Sequence, residues 1–362
     1  MASAGAKRIA VIGAAGFLGR ALMRRLEELR LPATAVVRGP AELALDGEYH
    51  QSIAPTEAGS VEDFDVVVNL AYPASGPTYE YPAKNAAILD TVRALVGSGG
   101  LVIHASTLAV FGLALERRPS LGPVQKVRDD PYVEAKIDAE GLLEKLQGEQ
   151  GLSLEVVRLG NIWGPASGAW AQPLVQRLLT GRPVAVAGTA GYSNTTDVGN
   201  AADYVAFLIL NGGADAGVRY HHLAEFSHVR WADWGKPIAE RLGVELVYAE
   251  DSVLEGPQTG FEQVARQLHP LRPRSLYREL ALEPTAGSWV RSVLRALPER
   301  ARERLKPAGY FARELRPDRN ERTFLSIMAG RREFQSEADP RWSPPVDAES
   351  SLELVIDWVS GE

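Results

Sequence analysis

The chain has 362 residues, 45% of them hydrophobic and 23% charged, with a net charge of −7 and no cysteine. This globular balance suits about two domains or one elaborated one, and it excludes long disorder and a protein built to coat nucleic acid. The missing cysteine excludes disulfides, thiol nucleophiles, thiolate zinc sites and iron–sulfur clusters, and it fits a reducing, cytoplasmic setting.

In chain order, Arg8 to Ile12 is an apolar run that suits a strand buried on both faces. Leu18, Leu22, Leu26 and Leu29 recur at helical spacing from Phe17 to Arg30. The apolar stretch Ile9 to Gly19 is broken by Gly13 and Gly16. It falls short of the roughly 18 residues of a membrane span and lacks a cleavage pattern, so a soluble protein is expected. Further strands are expected at 33–37, 64–70, 101–105 and 154–159, with helices at 83–96, stopped by Gly97-Ser98-Gly99-Gly100, and at 132–150. Such alternation predicts an α/β, Rossmann-like, doubly wound parallel sheet.

After Asn161 the alternation lapses. Helices are expected at 172–179 and 201–210, and a strand at 218–223 that returns to the main sheet. The expected layout is a dinucleotide-binding domain over 1–163, completed by 195–224. A discontinuous, mostly helical substrate lobe takes 164–194 and 225–362. Between Arg291 and Arg332, eleven arginines and one lysine face five acids. That segment reads as a solvated helix face or as a docking surface for phosphate, an acidic partner or an anionic membrane.

Three groups of residues carry chemistry. Gly13-Ala14-Ala15-Gly16-Phe17-Leu18-Gly19 follows a strand and opens a helix, the context in which glycines let backbone N–H groups approach a pyrophosphate. At the end of the second strand stands Arg38, which matches a 2′-phosphate and cannot accept from a ribose, favouring NADP. Tyr132 and Lys136 lie four apart on a helix that Asp130 caps and Pro131 begins. The helix dipole and the ammonium are expected to lower the phenol's pKa, so that it exchanges protons near neutrality. Ser106 and Thr107 follow the 101–105 strand, where a hydroxyl points into the ligand crevice of α/β sheets.

With GAAGFLG at 13–19, NLA at 69–71, ASTLAVFG at 105–112, PYVEAK at 131–136 and RLGNIWGP at 158–165, the chain resembles an extended short-chain dehydrogenase/reductase of the NAD-dependent epimerase/dehydratase family. The segment 188–206 resembles a later motif, with Gly199-Asn200 where a pair of acids is usual. The resemblance implies cofactor contacts from Gly13, Ala15, Gly16, Phe17, Leu18 and Gly19, and from Leu70 and Ala71 on the adenosine side, with Asn85 supporting the active-site region. It implies Tyr132 as acid/base, Lys136 on the nicotinamide ribose, Thr107 as the catalytic hydroxyl with Ser106 beside it at the substrate, and Asn161 on the substrate. It also implies a homodimer. Leu108 and Ala109 stand where dehydratases of the family carry an acid pair, which argues against dehydration.

The expected function is an NADP(H)-dependent oxidoreductase, with NAD as the other possible cofactor, interconverting a ketone and a secondary alcohol on a phosphate-bearing substrate such as a nucleotide-activated sugar. A sugar-nucleotide epimerase with retained cofactor is the alternative, and a non-catalytic dinucleotide-binding protein the third reading. No metal, nucleic-acid partner or membrane span is expected.

Overall fold

The computed structural model describes residues 7–37, 50–60, 63–73, 78–112, 119–124, 130–213, 215–251 and 319–361. The chain separates into two compact units, Met1–Ala249 with Ser326–Glu362, and Glu250–Leu325. Nearly all of the second unit, Arg38 and most of the arginine-rich stretch lie outside the described residues.

The first unit is built on a parallel sheet. In chain order it has β1 (Ile9–Ile12), α1 (Phe17–Glu28), β2 (Ala33–Val36), β3 (His50–Ile53), β4 (Phe64–Asn69), α2 (Tyr81–Leu95), β5 (Val96–Thr107), α3 (Pro131–Gln150) and β6 (Ser153–Leu159). There follow β7 (Asn161–Trp163), α4 (Ala171–Leu179), β8 (Ala185–Val186), β9 (Thr195–Asp197), α5 (Val198–Asn211), β10 (Gly217–Leu223), α6 (Trp231–Leu242) and β11 (Tyr248–Ala249). Helices α7 (Arg319–Met328) and α8 (Ala348–Ser360) come last. Seven strands pair in the order β10-β6-β5-β4-β1-β2-β3, all parallel. Strand β10 rejoins the main sheet beside β6, as its sequence suggested.

Alternation along β1 builds both cores. Ile9 and Val11 face one layer with Leu18, Leu22 and Leu26 of α1 and Ala201 and Val205 of α5. Ala10 and Ile12 face the other, with Val92 and Leu95 of α2 and Leu143 and Leu146 of α3. A strand whose neighbours lie on both faces needs apolar side chains at every position, which is why these strands read as continuous apolar runs. The chain reverses its strand order at β1, with β2 on one side and β4 on the other. That places a crevice at the carboxyl ends of β1 and β4.

Differences from expectation have local causes. Strand β3, His-Gln-Ser-Ile, carries little apolar signal because it sits at the sheet edge. Gly97 to Gly100 end α2 as expected, yet the chain continues extended into β5, and the pairing with β4 slips between Phe64 and Val66. Strands β7 and β9 pair with each other over three residues, too short for periodicity to show.

The expected lobe over 225–362 is split, because residues after 325 fasten to the sheet unit through two asparagines. Asn194 accepts from Phe334 N at 2.8 Å and donates to Arg332 O at 3.0 Å. Fully buried Asn200 donates to Glu225 and to Val346 O, both at 2.8 Å, and accepts from Val346 N at 2.9 Å. An acid at position 200 would set a second negative charge against buried Glu225, whose own pKa burial already raises. An amide serves both directions there. Phe334 completes the closure, stacked on Phe111 at 5.8 Å and edge-on to His222 at 5.2 Å.

Phe334 is 1% exposed. Phe334→Ala is expected to cost about 3–5 kcal/mol of stability, read as a lower urea midpoint of the sheet unit.

Candidate active site

The loop after β1 is shaped by close backbone approach. Gly13 has φ +85°, and a Cβ there would lie 3.0 Å from Ala71 N and 3.2 Å from the carbonyl carbon of Leu70. At Gly19 a Cβ would lie 2.2 Å from Gly13 O. The loop is therefore pressed onto the end of β4, where Leu70 N donates to Ile12 O at 2.9 Å and Asn69 Oδ1 accepts from Ala71 N at 3.1 Å. Gly13, Leu70 and Ala71 thus meet at the point where the strand order reverses. Gly16 precedes α1 with no side chain capping the helix, which leaves N–H groups at its positive end free to face an anion. This open, side-chain-free cradle fits a dinucleotide pyrophosphate. Ala15 O accepts from the Arg20 guanidinium. Leu18 is 7% exposed and packs in the core, so only its backbone is open to a ligand. The half-buried ring of Phe17 lies toward Gly164.

Helix α3 begins as its sequence requires. Asp130 Oδ1 accepts from Tyr132 N at 2.8 Å and Val133 N at 3.1 Å, with Pro131 in the first turn. Asn85 on α2 is buried and donates to Ala135 O at 2.7 Å, tying α2 to the turn between Tyr132 and Lys136. The Tyr132 hydroxyl lies near Thr107, the last residue of β5, whose hydroxyl favours the phenolate and accepts from Ala109 N at 3.2 Å. Lys136 Nζ donates to Ala105 O at 2.8 Å and lies 5.2 Å from the centre of the Tyr72 ring. Tyr72 meets Tyr132 edge-on at 5.3 Å.

One electrostatic expectation is overturned. Burial pushes the Tyr132 phenol up to about 12, with Tyr72 and Asp130 adding to the rise and the Thr107 hydroxyl offsetting only part of it. Desolvation of the phenolate decides the direction, so Tyr132 is protonated at neutral pH. Lys136 is held down to about 8 by burial, with the Glu140 carboxylate working the other way. Burial, and then the Lys136 charge, push His104 down to about 3, so the neutral ring accepts from Asn69 Nδ2 at 3.2 Å.

Ser106 does not face the crevice. Its hydroxyl donates to Glu140 on α3, and it is 4% exposed. Neighbours on a strand point to opposite faces, so Thr107 reaches the crevice while Ser106 turns toward the helix. A small crevice is lined by Thr107, Leu108, Ala109 and Asn161, and by Tyr192, Asn194, Ile327 and Gly330 among others. It brings Thr107 and Asn161 together, and the described residues of its lining carry no charged side chain. Asn161 donates to Ser193 O at 2.7 Å.

A model of the NAD dependent epimerase/dehydratase family matches residues 9–222. The chain belongs to this family. No curated protein matches it in sequence. Among solved structures, it resembles the Bordetella bronchiseptica enzyme WbmH in complex with NAD+, at 17% identity and TM-score 0.54, over 67% of this chain and 85% of that one. UDP-N-acetylglucosamine 4-epimerase from Methanobrevibacter ruminantium M1, in complex with UDP-N-acetylmuramic acid, matches at 20% identity and TM-score 0.54, over 67% and 84%. UDP-glucuronic acid 4-epimerase from Bacillus cereus, in complex with NAD, matches at 16% and 0.55, over 67% and 85%. These likenesses confirm the family's Rossmann-like fold.

The sequence reading missed Tyr72, Glu140, Arg158 as a partner of Glu140, and the wall formed by Ile327 and Gly330. Glu140 had a signal, four residues beyond Lys136 and eight beyond Tyr132 on one helix face. The wall had none, since it comes from the far end of the chain.

Gly19→Ala is expected to abolish dinucleotide binding, because its Cβ would drive Gly13 out of place. Quenching of protein fluorescence by NADH checks this, with unchanged circular dichroism as the folding control.

Proposed function

We propose that the protein interconverts a secondary alcohol and a ketone with a bound nicotinamide dinucleotide, in an epimerase cycle on a nucleotide-activated sugar. The observation that carries the reading is the convergence of Thr107, Tyr132 and Lys136 at the carboxyl end of β5, in the sheet that carries the glycine cradle. Family membership and the sugar-nucleotide epimerases among the structural neighbours support the substrate class.

Gly13, Gly16 and Gly19 would hold the pyrophosphate, with Ala15, Phe17 and Leu18 in the same turn, Leu70 and Ala71 on the adenosine side and Lys136 on the nicotinamide ribose. When bound, the dinucleotide supplies hydride acceptance and return at the carbinol carbon. Thr107 orients the substrate oxygen. Tyr132, protonated in the protein as it stands, gives its proton to that oxygen as the alcohol re-forms. In the oxidative direction Tyr132 would first release its own proton to solvent; the resulting phenolate, favoured by the Thr107 hydroxyl and the Lys136 charge, would then take the hydroxyl proton as hydride leaves the carbinol carbon. Asn85 holds the helix that carries both groups, and Asn161 contacts the substrate. Leu108 and Ala109 offer no acid or base next to Thr107, so the chemistry ends at redox and inversion rather than loss of water.

A second reading is an NADP(H)-dependent ketone reductase. Arg38 favours it through its match to a 2′-phosphate, and so does the uncharged crevice lining. The neighbours that hold NAD favour the first. Releasing the nucleotide by denaturation, then testing exchange of added NADPH and NADH on the native protein, separates the two. A stoichiometric, non-exchanging dinucleotide supports the epimerase, whereas an exchangeable site that prefers NADPH supports the reductase.

Tyr132→Phe is expected to lower turnover by about 10²–10⁴-fold with NADH affinity nearly unchanged; persistent turnover would remove Tyr132 from the chemistry. Because Lys136 loses its charge as pH rises through about 8, the rate is expected to fall on the alkaline side from about that pH, as a pH–rate profile will show.

A further inference from the structure

Helix α3 meets the end of β5 at three residues one turn apart. Lys136 donates to the carbonyl of Ala105, Glu140 accepts from Ser106, and the Tyr132 hydroxyl lies near Thr107. The side chains at 132, 136 and 140 share one face of the helix, and their partners are three consecutive strand residues. Glu140 is in turn gripped by Arg158 of β6, whose Nε reaches Oε1 at 3.1 Å and whose Nη2 reaches Oε2 at 2.7 Å. The same guanidinium donates to Ser120 O and Gly122 O at 2.8 Å each and stacks 4.4 Å from the centre of the Tyr220 ring. Arg158 is 0% exposed, Glu140 2%, Ser106 and Lys136 4%.

A buried ion pair is weak evidence of stabilisation, since well-packed apolar residues often serve as well. This one ends a ladder whose other two rungs are the groups of the proposed chemistry. It also holds the 119–124 segment that precedes their helix.

We propose that Glu140, clamped by Arg158 and Ser106, is a positioning residue that sets the register of α3 along β5 and supplies the negative charge facing the Lys136 ammonium. The inference rests on the reading of Lys136 as a dinucleotide contact. Ser106 therefore serves the helix rather than the substrate.

The charged and titratable groups around Lys136 are few. On its own helix stand Glu140 and Tyr132. Neutral His104 comes from β5, Tyr72 from the end of β4, and Arg158 from β6 behind Glu140. Among the described residues Glu140 is the carboxylate that acts on Lys136, and an opposite charge favours the ionised form of a buried lysine.

The test is NADH binding, followed by fluorescence from pH 6 to 10, with circular dichroism confirming the fold. In the unaltered protein, affinity is expected to fall as Lys136 deprotonates near pH 8. Lys136→Met should remove that step. Glu140→Gln should move it down by about one pH unit, and Ser106→Ala, which keeps the carboxylate, should leave it in place while lowering the rate several-fold. Glu140→Gln leaves Arg158 buried and unpaired, so the Glu140→Gln/Arg158→Met pair is measured beside it; loss of the Arg158 charge offsets part of the effect, and a smaller downward movement is expected in a stable protein. A step that stays near pH 8 in both Glu140 variants overturns the role of Glu140. A step that survives Lys136→Met overturns instead the underlying placement of Lys136 at the dinucleotide.

Discussion

The site depends on keeping one cation charged inside the layer between a helix and a sheet. Burial lowers Lys136 from 10.5 to about 8, which amounts to about 3 kcal/mol against its charged form. Three groups hold the ammonium there: the Ala105 carbonyl, the face of Tyr72 and the carboxylate of Glu140. Each comes from a different structural source, namely the end of β5, the turn after β4 and the next turn of α3. The lysine can keep its place only if sheet and helix hold a single register. Asp130 fixes where α3 begins, and Asn85 fixes it to α2. The glycine loop is set by contact with the same β4 end that carries Tyr72.

The same constraint accounts for the electrostatics of Tyr132. A phenol placed to meet Thr107 at the top of the sheet must give up most of its water, so its pKa rises rather than falls. Packing around a buried hydroxyl protects the protonated form, and the cation one turn away offsets this only once negative charge develops. In the proposed reaction, proton transfer in the direction of alcohol formation would start from the state the protein already holds, and the opposite direction would draw on the Lys136 charge to make the phenolate accessible.

The strands and helices of the Rossmann-like half were legible because burial on both faces leaves unbroken apolar runs and regular helical spacing. The glycine loop, Tyr132, Lys136 and Thr107 were legible because each sits at a strand end or a helix start, where local sequence decides geometry. Strand β3 was hidden by its polar edge position, and β7 and β9 by their length. Ser106 was misplaced because strand alternation turns it to the face opposite Thr107, and the partner that receives it there, Glu140, is 34 positions away. Tyr132's pKa was misjudged for a related reason: helix dipole and lysine can be read from spacing, but desolvation depends on what covers the ring.

Under the proposed function, substrate choice would reside in the crevice wall. Thr107, Leu108, Ala109 and Asn161 come from the part of the chain that the family model spans, whereas Ile327 and Gly330 lie beyond it. Tyr192 N donates to Gly330 O at 3.0 Å, and a Cβ at Gly330 would lie 2.1 Å from Tyr192 O, so this wall is pinned at backbone distance to the loop before β9. Asn194 clamps the following residues while its own carbonyl accepts from Asn161 N at 2.9 Å. A substrate contact at Asn161 and the closing wall are therefore mechanically one piece. The groups proposed to handle the proton stand on α3 and β5, outside that piece, and the same pair would serve reduction or epimerisation. What distinguishes the two reactions is whether the ketone can turn and whether the cofactor can leave. The first of these is a property of the wall.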